Sequence, residues 1–100
     1  MKVLKLIVFA AVLSLGMTAL ASDGQTLYKK CIACHGTDGS KVALKVGVPI
    51  KGQTEQELYD KMKGYQDGTY GGEKKAIMKR NVDKLTDDDL KALAAYIATF

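Results

Sequence analysis

The clearest alternation of apolar and polar positions lies at the end of the chain. Leu90, Leu93, Ala94 and Ile97 fall at i, i+3, i+4 and i+7, the pattern of an amphipathic helix. Thr86 caps it, and Asp87, Asp88 and Asp89 occupy its first turn, where acids favour the positive helix end. A solvated helix start explains this acidic run better than a metal site. Thr54-Glu55-Gln56-Glu57 has the form of a capping box. It predicts a helix with Leu58, Tyr59 and Met62 on its apolar face and Gly64 at its end. Asp23 predicts the start of a further helix over 23–33, with Leu27, Tyr28 and Cys31 at i, i+1 and i+4 and Gly36 as its stop. Residues 64–72, GYQDGTYGG, hold four glycines in nine positions and read as a loop. Glu73 to Lys79 reads as a short helical turn.

One segment breaks this helical theme. In residues 40–48, SKVALKVGV, apolar side chains recur at 42, 44, 46 and 48, the period of a strand. Nothing else alternates this way, and a lone strand has no partner for its backbone groups. An extended loop laid against an apolar body fits better. The chain is thus all-α, with three or four helices, long loops and no sheet. Its apolar faces need something to pack around.

The first residues change what counts as the domain. Met1, Lys2 and Lys5 make a basic start, Leu6 to Leu15 is apolar except for Ser14, and Ala19 and Ala21 form an A-x-A cleavage site. Ser14, Gly16 and Thr18 interrupt the apolar run, leaving it short of the ~20 residues that cross a bilayer. Residues 1–21 are therefore expected to be a cleaved signal peptide, and 22–100 the functional domain. Cleavage removes two lysines and no acids, so thirteen bases face eleven acids and the net charge falls from +4 to +2. That balance argues against nucleic acid as a partner. The remaining 79 residues are few for a self-sufficient core, and such domains rely on a staple. A disulfide between Cys31 and Cys34 would close too small a loop to serve.

The candidate chemistry sits in CIACH, residues 31–35, which contains the chain's one histidine. A redox dithiol needs a βαβ context that is missing here. Zinc needs a fourth ligand, and no Cys or His lies elsewhere in the chain. The remaining reading is C-x-x-C-H as a c-type haem attachment. Two thiols add to the two vinyl groups on one side of a porphyrin. Two intervening residues let one helical turn present both sulfurs, and His35 then swings under the iron. Covalently held haem also supplies the apolar body that the helices and residues 40–48 lack.

For the other face of the iron, bis-His ligation is excluded within one chain. Beyond the leader only Met62 and Met78 remain. Met62 sits in a helical stripe with Leu58 and Tyr59 and reads as core. Met78, in KKAIMKRN between two elements, has polar neighbours that packing explains less well. Its position favours it as the distal ligand.

These residues resemble the class I monohaem cytochromes c, most closely the small cytochrome c-553 type of sulfate-reducing and related bacteria. DGQTLYKKCIACHGTDGSK is similar to that family's first helix and attachment loop. ELYDKMKGYQDGTYGGEKKAIM is similar to its middle helix and Met-bearing segment, and VDKLTDDDLKALAAYI to its last helix. The resemblance implies the class I cytochrome c fold, with three to four helices and long loops wrapped around one covalently attached heme c. It implies thioether links at Cys31 and Cys34, axial His35 and Met78, and a Pro49 carbonyl that holds the His35 ring. Tyr65 and Tyr70 match tyrosines near the haem, and Leu27 and Tyr96 match the contact between first and last helices.

With both axial positions filled, the useful change is one electron between Fe(II) and Fe(III). The implied function is a monomeric, periplasmic electron carrier rather than an enzyme. Its implied partners are redox proteins, such as a periplasmic dehydrogenase or a terminal oxidase or reductase, met in weak transient contacts. Basic residues at 41, 45, 61, 63, 74, 75, 79 and 80 could ring an exposed haem edge and steer an acidic partner, or could be scattered solvated lysines. The rival readings are a haem peroxidase or gas sensor, if the Met ligand is labile, and a haem module of a larger complex.

Overall fold

The computed structural model describes residues 23–100, so the expected signal peptide lies outside the described residues. The Asp23 carboxylate caps the first helix, accepting from the Gln25 amide at 3.1 Å and the Thr26 hydroxyl at 2.8 Å. Helix α1 (Gly24–Tyr28) tightens into a 3-10 turn (Lys29–Cys31) and continues as α2 (Ile32–His35). Gly36 ends the run at φ +82°, a conformation that costs glycine nothing. The helical run therefore reaches two residues beyond the expected 23–33 and carries the whole CIACH segment in its last turns.

Residues 40–48 form no strand, as expected. A 3-10 turn at Ala43–Lys45 interrupts them, with Leu44 and Lys45 both at positive φ, +54° and +61°. Non-glycine residues rarely adopt this left-handed geometry. The apolar alternation survives as a row of side chains on the wall of a cleft, described below.

Helix α3 spans Glu55–Asp67. The Thr54 hydroxyl accepts from the Glu57 amide at 3.1 Å, so the predicted cap is made. Its reciprocal half is not: the Glu57 carboxylate accepts from the Thr54 hydroxyl instead. The helix also runs through Gly64, which was expected to end it, and stops at Gly68, whose φ of +77° is the left-handed cap. Gly64 serves a different purpose. A Cβ there would lie 2.5 Å from Tyr70 Cβ, so the missing side chain admits the returning loop.

Helix α4 covers Lys75–Val82, longer than the expected turn ending at Lys79. This places Met78 on a helix rather than in a loop. Helix α5 (Asp87–Ile97) matches its pattern fully: Thr86 and Asp89 form a complete capping box, and Leu90, Leu93, Ala94 and Ile97 are all buried.

Helix α5 packs against α1 on one side and α3 on the other, and α4 leans on α3. The core is Tyr28, Leu58, Met62, Val82, Leu90, Leu93, Ala94 and Ile97, with Leu27 packed against it. Tyr28, Tyr96 and Phe100 form an aromatic cluster between first and last helices, with ring centroids 5.0–5.7 Å apart. Gly24 makes that approach possible. A Cβ there would collide with the Ala92 carbonyl and sit 2.8 Å from Tyr96 Cβ. Because the obstacle is backbone, Gly24→Ala is expected to lower holoprotein stability by about 1–3 kcal/mol in a urea titration, as overpacking does. Unchanged stability would mean that the helices can separate at no cost. Among the described residues no helix is long and apolar enough to cross a membrane.

Candidate functional site

The helices and the 40–48 loop enclose a cleft of about 620 Å³. Cys31, Cys34 and His35 reach it from the end of the first helical run. Leu44, Val46, Val48 and Ile50 line it from the loop, Leu58, Met62 and Tyr65 from α3, and Ile77 and Met78 from α4. Three of the four alternating positions, Leu44, Val46 and Val48, line the cleft together with the intervening Ala43 and Gly47, whereas Val42 does not. Leu44, Val46 and Val48 remain 50–68% exposed there.

Three hydrogen bonds fix the CIACH turn. The Tyr28 hydroxyl donates to the Gly36 carbonyl at 2.5 Å, the Lys41 amide to the His35 carbonyl at 3.1 Å, and Lys41 Nζ to the Ala33 carbonyl at 2.8 Å. Tyr28 is buried, and burial pushes its hydroxyl up to about 12, so it remains a donor at any physiological pH. The two thiols are free, with Cys31 half-buried and Cys34 exposed. Burial pushes the Cys31 thiol up, which keeps it protonated at neutral pH. Burial pushes the His35 imidazole down, favouring the neutral ring, which is the form that binds a metal. Nδ1 of His35 is buried with no hydrogen-bond partner among the described residues.

The bond implied between Pro49 and His35 is not made. The Pro49 carbonyl accepts from Gln53 Nε2 at 3.2 Å, and Gln53 Oε1 in turn accepts from Lys61 Nζ at 2.7 Å. Pro49 does not line the cleft, whereas its neighbours Val48 and Ile50 do. Tyr65 and Tyr70 both line it and meet edge to face, with centroids 5.1 Å apart. The Lys61 ammonium lies 6.0 Å from the Tyr70 centroid, the outer limit of a cation–π contact.

Both methionines reach the cleft. Met62 is 6% exposed and belongs to the core, while Met78 is only partly buried and packs beside it. Of the eight basic residues expected near an exposed edge, five are engaged. Lys41 and Lys61 make the bonds given above, and Lys75 donates to the Gly68 carbonyl. Lys79 bonds the Gln66 carbonyl and Asp83, and Lys63 pairs with Asp87. Sequence reasoning counted Lys41 as a surface cation and did not find Gln53. Side chains that bond distant backbone leave no period in the sequence.

The donor set suits haem. Two thiols and an imidazole sit on one turn, a thioether sits on another wall, and the walls between are aliphatic and aromatic. Among the described residues no group of three or more His, Cys, Asp and Glu side chains is arranged to hold a bare metal ion. An iron delivered inside a porphyrin needs no such cluster, only thiols to fasten the ring and one or two axial ligands.

Residues 21–100 match the sequence model of the cytochrome c family. The chain is 48% identical over 98 residues to the cytochrome c-553 of Nitratidesulfovibrio vulgaris, covering 97% of this chain and 96% of that protein. It is 35% identical over 95 residues to a Helicobacter pylori cytochrome c-553, covering 95% and 96% of the two chains. It is 34% identical over 79 residues to the cytochrome c-554(548) of Halomonas halodenitrificans, covering 79% and 94%. The helical cleft, its thiol and thioether donors and the match across the whole described chain agree: the protein belongs to the cytochrome c family, with the class I fold and covalently attached haem c.

Proposed function

We propose that this protein is a periplasmic one-electron carrier with a single haem c, fastened through Cys31 and Cys34 and ligated by His35 and Met78. The observation that carries the reading is the meeting of these four side chains on one apolar cleft. When bound, haem iron supplies a one-electron Fe(II)/Fe(III) couple, and Met ligation raises its potential. The residues of the chain do the rest. Cys31 and Cys34 hold the ring in one orientation. His35, neutral because it is buried, offers a nitrogen lone pair. The Met78 thioether would supply the second ligand, which would leave added small molecules no coordination site. Leu44, Val46 and Val48 exclude water from the ring, and Tyr28 and Lys41 keep the CIACH turn from shifting as the charge changes.

Residues 1–21 act in this reading as the leader that exports the chain, and the domain that works is 22–100. The net charge of +2 after cleavage suits brief encounters with respiratory redox proteins, in which steering matters more than affinity. A closed iron separates a carrier from a peroxidase or gas sensor. Carbon monoxide added to the reduced native holoprotein at neutral pH is expected to leave the optical spectrum unchanged. Prompt, tight binding would overturn the carrier reading.

A further inference from the structure

We propose that Gln66 is the positioning residue that locks α4, and with it Met78, against the cleft. The inference rests on Met78 as distal ligand. Gln66 is the penultimate residue of α3 and is half-buried, yet it does not line the cleft. Its Nε2 donates to the Val82 carbonyl at 2.8 Å and to the Leu85 carbonyl at 2.9 Å. Val82 is the last residue of α4, and its carbonyl also accepts from the Leu85 amide at 3.0 Å, so the Gln66 amide joins the turn that closes the helix. A primary amide has two N–H groups, and both are used here. The backbone carbonyl of the same residue accepts from Lys79 Nζ at 2.7 Å, next in the chain to Met78. Residue 66 therefore grips α4 at its middle and beyond its end.

Little else holds this helix. Val82 is its one fully buried residue. The other long-range bonds reach it through exposed lysines, Lys30 to the Asn81 carbonyl and Lys75 to the Gly68 carbonyl at 3.5 Å. Solvent competes for those bonds, whereas the Gln66 pair is partly shielded and stays strong. In this proposal Met78 leaves the iron together with a displacement of α4 that breaks the Gln66 bonds, rather than by side-chain rotation alone.

Imidazole binding to the ferric holoprotein reads this motion, because imidazole enters only when Met78 leaves. Gln66→Leu keeps the bulk and removes both donors. It is expected to raise imidazole affinity and the limiting binding rate at least about fivefold, the effect of losing one to two net hydrogen bonds. Gln66→Lys, which restores a donor, should return toward the wild type. Should Gln66→Leu yield no holoprotein, Gln66→Glu gives the same comparison, with an acceptor in place of two donors. Thr86→Ala, which uncaps α5, should lower thermal stability without moving imidazole binding. If Gln66→Leu behaves like Thr86→Ala, Gln66 is merely structural and the proposal fails. Met78→Ala separates the two layers. It should bind imidazole with no opening step, and wild-type binding in that variant would sink the ligand assignment itself rather than the role of Gln66.

Discussion

Stripped of its haem, the chain is expected to lose cooperative folding. The reason lies in how little the helices bury among themselves. The core is eight side chains, one of them an alanine, drawn mostly from α3 and α5. A domain of this size rarely obtains more than about 3–5 kcal/mol from its own core. Against that stand Leu44, Val46 and Val48, each half or more exposed on the cleft wall. Taking the rest of their surface out of water contributes roughly 1 kcal/mol per side chain. Leu44 and Lys45 also hold positive φ, at a cost of roughly 1–2 kcal/mol each, which is sustained only if the loop is pinned. The thioether links add a covalent constraint on the unfolded chain. Apoprotein should therefore show weak helical circular dichroism and a broad, non-sigmoidal urea response, while holoprotein unfolds in one sharp step. A sharp apoprotein transition would show that the polypeptide is self-sufficient and that haem is a passenger.

What could be read from the sequence followed how local the determinants are. Helix α5 was legible to the residue, because cap, acids and apolar stripe all lie within twelve consecutive positions. The haem c was legible for the same reason: the C-x-x-C-H signature that suggested it lies in five adjacent residues. The loop at 40–48 was legible only by asking what a lone strand would pair with. Leu44, Val46 and Val48 of its apolar positions belong to a cleft wall instead of a sheet. The end of α3 was misread because Gly64 and Gly68 look alike in sequence. One gives way to Tyr70 and the other takes the left-handed cap, and only the position of Tyr70 in space distinguishes them. Helix α4 was shortened to a turn ending at Lys79 because KAIMKRNV has no capping side chain and a mixed face. The partners of Pro49, Gln53 and Gln66 could not be read, since their bonds to backbone carbonyls and to Lys61 leave no period in the sequence.

The second large effect concerns the two methionines. Both reach the cleft, so proximity does not choose between them. Environment does. Met62 is 6% exposed within the α3 core, and its thioether already fills space between apolar neighbours. Met62→Ala should therefore act as a cavity mutation, costing about 2–5 kcal/mol of holoprotein stability. Met78 is partly buried on a thinly anchored helix, and its replacement should barely affect packing. The chemical consequences run the other way. Under the proposed ligation, losing Met78 should open the iron, remove the sulfur ligand that raises the potential and let the protein bind added ligands.

The proposed carrier requires an iron ligated by both His35 and Met78. The ferric optical spectrum of three holoproteins tests that ligation most directly, through the iron–sulfur charge-transfer band. The band is expected in the wild type and in Met62→Ala, and its complete loss in Met78→Ala. A band that survives in Met78→Ala and disappears in Met62→Ala would contradict it.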